Sequence, residues 1–101
     1  MEILSAEKDR ELTLLLRGEL DHHGAKAAMT EIGQALDAAL PRTLTLDFSG
    51  VTFMDSSGIA VVMRAQRTMR AFGGNVSLTR VPPQAKKVFD AAGLTRFVPI
   101  R

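Results

Sequence analysis

Two stretches of this chain place an apolar side chain at every second position, and the residues between them follow the different period of a helix. Leu12, Leu14 and Leu16 alternate with Thr13, Leu15 and Arg17, and Leu44, Leu46 and Phe48 alternate with Thr43, Thr45 and Asp47. A period of two is that of a strand with one buried face. Between them, Ala28, Met29, Ile32, Ala35, Leu36 and Ala39 recur at three- and four-residue steps. That is the apolar stripe of a helix over Ala25 to Leu40. Asp21 is placed to cap or precede this helix, and Pro41 follows its end.

The rest of the chain repeats the theme. Ile3 to Ala6 is a short partner strand, joined through the charged turn Glu7-Lys8-Asp9-Arg10. Ser49-Gly50 turns the chain, and Val51 to Met54 leads into Asp55-Ser56-Ser57-Gly58. A second helix then runs to Phe72, with Ile59, Val62, Met63, Gln66 and Met69 as its expected buried face. Gly73-Gly74-Asn75 ends it, because glycine relieves the left-handed conformation that helix ends often need. Asn75 to Arg80 carries Val76 and Leu78 and reads as a third core strand. Val81-Pro82-Pro83 breaks that strand, and Pro83 suits the first turn of a short helix ending at Gly93, with Val88, Phe89 and Ala92 facing inward. Phe97 and Val98 begin a last strand.

Strands alternating with helices through short loops predict parallel pairing with right-handed crossovers. The expected fold is a single α/β domain with a four- to five-stranded, largely parallel but mixed sheet. The two clearest strands are polar on one side, so the helices are expected mainly on one face.

Composition removes several functions. Thirteen Lys and Arg against eleven Asp and Glu leave a formal charge of only +2, and there is no Trp or Tyr to stack on bases. Direct nucleic-acid binding therefore has no footing. The absence of cysteine excludes disulfides, thiolate nucleophiles and thiolate metal ligands. No apolar run approaches the ~18 residues of a membrane span, and the first ten residues lack a signal-peptide pattern. The cytoplasm is the expected location.

Asp55-Ser56-Ser57-Gly58 is the most informative segment. It enters a helix, whose first N–H groups have no partner inside that helix. Asp and Ser accept such bonds, and the arrangement leaves at least one hydroxyl near the surface. A phosphate there would be tolerated by the domain, since a helix N-terminus favours negative charge. Asp21-His22-His23 is a polar loop before the other helix. Consecutive side chains diverge, no cysteine or third histidine completes a ligand set, and the remaining aspartates are scattered, so no metal site is expected. Arg64, Arg67 and Arg70 lie along one broad side of the second helix, either as a solvated face or as a steering surface for an acidic partner. Nothing forms a phosphate-binding loop with Lys or a serine–histidine relay, so no catalytic residue and no cofactor are assigned.

Phe53-Met54-Asp55-Ser56-Ser57-Gly58-Ile59 resembles the phosphorylation loop of bacterial anti-sigma-factor antagonists, members of the STAS family. Gly18-Glu19-Leu20-Asp21-His22-His23 is similar to the family's other loop, and Leu46-Asp47-Phe48-Ser49-Gly50-Val51 to the strand and turn before the serine. Gly73-Gly74 and Val88-Phe89-Asp90-Ala91-Ala92-Gly93-Leu94 are similar to its later helix boundary and helix. The resemblance implies a STAS-type domain over residues 1–101 that binds an anti-sigma factor, itself a serine protein kinase. Phosphorylation of Ser56 by that kinase would inactivate it, and a phosphoserine phosphatase would reset it. Asp21, His22, His23, Met54, Asp55, Ser56, Ser57, Gly58 and Ile59 are the implied partner contacts, with Ser57 the neighbouring hydroxyl most easily confused with Ser56.

Ala60 stands where sporulation-type members usually have glycine. Family members also usually carry a further helix after the last strand, so the expectation is a domain that lacks it or covers that surface otherwise. The alternative implied role is a STAS accessory subunit of a lipid transporter or larger signalling complex. A weak nucleotide-binding or phosphoester-cleaving enzyme is the remote alternative from another class.

Overall fold

The computed structural model describes residues 1–101. Its elements run β1 (Glu2–Lys8), β2 (Glu11–Leu20), α1 (His22–Ala39), β3 (Thr43–Met54), α2 (Ser57–Ala71), β4 (Asn75–Thr79) and α3 (Pro83–Ala92), followed by one 3₁₀ turn, Leu94–Arg96. The strands form one sheet in the order β1-β2-β3-β4. β1 is antiparallel to β2, and the β2–β3 and β3–β4 pairs are parallel. The turn between β1 and β2 is tight because Asp9 and Arg10 both take positive φ, 53° and 64°.

Register explains the core. Leu12, Leu44 and Val76 lie side by side across the three parallel strands, and so do Leu14, Leu46 and Leu78. All six are buried, and they join Ala28, Ile32 and Leu36 of α1, Val61, Val62 and Met69 of α2, and Phe89 of α3 in one cluster. All three helices thus cover the same face, as the one-sided polarity of the strands requires. Phe89 meets Phe48 edge to face, with ring centroids 5.4 Å apart. Each such side chain removed from water stabilises the fold by about 1.5–3 kcal/mol.

The opposite face carries Thr13, Thr45 and Ser77 in register, then Leu15, Asp47 and Thr79. Asp47 is buried there to 3% exposure. Burial opposes its charged form, but hydrogen bonds from Arg80 and from Ser49 outweigh that and hold its carboxyl below the ordinary value. Arg80 Nε donates to Asp47 Oδ2 at 3.0 Å, and the Ser49 N–H donates to Oδ1 at 2.9 Å.

Several expectations need correction. Ser49-Gly50 does not turn the chain. β3 continues through it to Met54 and absorbs extra residues as bulges, pairing Leu15 with Asp47 but Arg17 with Gly50, and Gly18 with Val51 but Glu19 with Phe53. The buried face of α2 is Gly58, Val61, Val62, Ala65 and Met69, with Ile59, Met63 and Gln66 only partly covered. Small residues let the helix approach the sheet closely, so the face centres on them rather than on the largest side chains. On α3, Phe89 is buried as expected, but Ala92 is exposed and Ala85 is the second buried residue. Phe97 and Val98 start no strand: Phe97 is 57% exposed. Strand-like pairing comes later, as a single bridge from Ile100 to Leu78 along the free edge of β4. No helix is long and apolar enough to cross a membrane.

Candidate functional site

Parallel pairing brings the two loops of interest together. Leu20 at the end of β2 is in register with Met54 at the end of β3. The Asp55 N–H extends the ladder by one bond to the Leu20 carbonyl, at 3.3 Å. Asp21 and Asp55 therefore follow neighbouring strand ends, each just before a helix.

At the first loop, Asp21 caps α1. Its Oδ1 accepts from the Gly24 N–H at 2.8 Å. That bond is the main reason its carboxyl sits below the usual carboxylate range, with the His23 charge adding to it. His22 and His23 are exposed on the first turn of α1, and no group of three or more His, Cys, Asp or Glu side chains is arranged to hold a metal.

At the second loop the capping residue is displaced by one position. Asp55 Oδ1 accepts from the Ser57 N–H at 2.8 Å, and the Asp55 carbonyl accepts from Gly58 N–H at 3.1 Å. Ser56 occupies the N-cap position with helical φ and ψ of −62° and −16°, so its hydroxyl makes no capping bond. Ser56 is exposed, whereas Ser57 is half-buried. The expectation that one hydroxyl stays at the surface is met, and Ser56 is that residue.

The remaining site residues divide by depth. Met54 is fully buried, which corrects its placement among surface contacts, and Gly58 is buried beside it. A Cβ on Gly58 would collide with the Met54 side chain and approach Leu20 Cδ2 to 3.2 Å. Both residues act from beneath, seating the start of α2 on the sheet. Ile59 is half-buried and lines an open groove of about 470 Å³ between α2 and α3, together with Ser56, Lys87, Val88, Ala91 and Ala92.

Two features escaped the sequence. Gln84 of α3 clamps the end of β3: its Oε1 accepts from the Met54 N–H at 2.8 Å and its Nε2 donates to the Met54 carbonyl at 2.7 Å. β4 pairs with β3 only as far as Asp47, so beyond it that edge of β3 has no neighbouring strand. The Gln84 amide, 30 residues away in sequence, gives Met54 the two backbone bonds that a neighbouring strand would have supplied. A glutamine on a short helix carries no local signal of this. Phe53, one residue earlier, is 44% exposed because the bulge in β3 interrupts the alternation.

A mixed four-stranded sheet with its helices on one face, and a serine presented where β3 passes into α2, defines the chain as a STAS-type domain. The chain belongs to the STAS family: residues 3–99 match the family described as "Mlab, STAS domain". It is 34% identical over 83 residues to an anti-sigma F factor antagonist of Lysinibacillus sphaericus, covering 82% of this chain and 71% of that protein. Among solved structures, it superposes on the unphosphorylated anti-sigma factor antagonist SpoIIAA with a TM-score of 0.82 and 29% identity, over 99% of this chain and 88% of that one. The phosphorylated form of SpoIIAA, a Bacillus cell fate determinant, matches with a TM-score of 0.73 and 28% identity, over 99% and 91% of the two chains.

Proposed function

We propose that this chain is an anti-sigma-factor antagonist, switched off by phosphorylation of Ser56. Unphosphorylated, it binds an anti-sigma factor that is also a serine kinase and so releases the sigma factor. The contact surface is the exposed rim at this end of the sheet: Asp21, His22 and His23 from one loop, Asp55, Ser56 and Ser57 from the other, and Ile59 on α2. In the switching step, Ser56 Oγ forms a bond to the γ-phosphorus of the kinase's ATP. The bond to the bridging oxygen breaks, ADP leaves, and the hydroxyl proton is released. A phosphatase restores the hydroxyl. The cycle belongs in the cytoplasm, where ATP is available, and needs no catalysis by this chain.

The observation that carries this reading is the free, exposed Ser56 hydroxyl at the mouth of α2. The names of the relatives, and the existence of SpoIIAA in both phosphorylation states, support it. Losing a well-buried contact and placing added charge against the partner there costs about 2–5 kcal/mol, roughly 30- to several-thousand-fold in affinity. Ser56→Ala is therefore expected to bind the cognate kinase constitutively and Ser56→Asp to bind weakly, measured by calorimetry. Phosphosite mapping after incubation with kinase and ATP should find the label on Ser56. Label on Ser57 alone overturns the site assignment.

A further inference from the structure

The Ser57, Gly58 and Ile59 N–H groups at the start of α2 are already occupied, which leaves a phosphate on Ser56 without three of the donors a helix N-terminus normally offers. The Ser57 N–H is bonded to the Asp55 carboxylate, Gly58 N–H to the Asp55 carbonyl, and Ile59 N–H to the Ser56 carbonyl. Asp55 also places a carboxylate next to the new charge, and like charges repel. Ser56 shares the open groove between α2 and α3 with Lys87 of α3. Lys87 takes part in none of the three ion pairs of the chain, whereas its neighbour Lys86 is held by Asp90 at 2.9 Å.

Resting on the reading of Ser56 as the phosphorylated residue, we propose that Lys87 is the cation that receives the phosphomonoester dianion. Phosphorylation then ties the start of α2 to α3 through an ion pair over the groove formed by Ile59, Val88, Ala91 and Ala92. The apolar walls of that groove are open in the unphosphorylated protein and become capped by charge in the phosphorylated one. Lys87 thus belongs to the phosphorylated state and is idle in the other.

The test titrates the phosphate itself by phosphorus NMR, on protein with phosphoserine installed at position 56 during translation. The other charged or titrating groups at this end of the sheet are the Met1 amino group and Glu19 beside Asp21, His22 and His23 at the first loop, Asp55 on the second, the Asp47-bound Arg80 after β4, and the Lys86–Asp90 pair on α3. They are common to parent and variant, so the difference isolates Lys87. A free phosphoserine has its second pKa near ~6. A paired Lys favours the dianion, so Lys87→Gln is expected to raise the apparent pKa by about 0.2–0.7 pH unit relative to the parent. Lys87→Arg keeps the parent value. Lys8→Gln, which removes the same charge from the hairpin at the other end of the sheet, leaves it in place. Identical titrations for parent and Lys87→Gln, or an equal shift in Lys8→Gln, overturn the pairing. Because no kinase is used, failure of a kinase to label Ser56 sinks the switch without touching this measurement.

Discussion

The two loops at the functional end of the sheet are built alike and differ in one residue's duty. In the β2–α1 loop, Asp21 stands at the N-cap and spends its side chain on the Gly24 N–H. In the β3–α2 loop, the acceptor comes from Asp55, one residue before the N-cap, and Ser56 at the cap is left with nothing to hold. Moving the acceptor back by one residue frees a hydroxyl without exposing an unsatisfied helix end. A fully used cap is structure, and a vacated one leaves a hydroxyl without a partner.

The glycines offer the sharpest way to break that comparison. Each helix is seated on the sheet by a glycine in its first turn, but a Cβ on Gly24 would strike the Glu19 carbonyl, whereas one on Gly58 would strike the flexible Met54 side chain. Overpacking costs about 1–3 kcal/mol, and backbone cannot move aside as a thioether can. Gly24→Ala should therefore fall at the upper end of that range and Gly58→Ala at the lower end in denaturant melts. The reverse order would mean that the second loop is the more rigidly seated of the two.

Capping itself gives the next largest effect. Asp55→Ala should lower stability by about 1 kcal/mol, the usual loss for a capping side chain, while Ser56→Ala should stay within about 0.5 kcal/mol of the parent. Equal losses would show that the Ser56 hydroxyl caps α2 in solution. The smallest effect is a dependence on acid. The Asp21 carboxyl is lowered from 3.8 in the folded protein. Its contribution is therefore fully present above that value and is lost as pH falls through the folded one. The melting temperatures of the parent and Asp21→Asn should converge below about pH 3.8. A constant gap down to pH 2 would assign the effect to hydrogen-bond geometry rather than to charge.

Much of this site was legible as pattern. The two period-two runs, Leu12-Leu14-Leu16 and Leu44-Leu46-Phe48, with a helical stripe between them, predicted two parallel strands with loops at a common end. That placed Asp21 beside Asp55. What could not be read was depth. Met54 looks like any residue next to a loop, yet the close approach at Gly58 buries it completely. Asp47 reads as the polar side of a strand, but it is buried and bonded to Arg80, 33 residues away. Val88, Ala91 and Ala92 all fit the apolar side of a short helix, and only packing shows that Val88 sits at the core's edge while Ala91 and Ala92 are exposed along a groove.

The order and period of the apolar residues were enough to determine the layered architecture, because burying one face of each element leaves few arrangements open. How the open end of β3 is closed, and how deep Met54 lies beneath the serine loop, were decided by tertiary structure alone. Those outcomes depend on backbone groups left unpaired where β4 ends short of β3, and on the residues that reach them from elsewhere in the chain. Gln84 reaching the end of β3 is the plainest case. Such bonds are fixed by distance in space, and local sequence carries no measure of it.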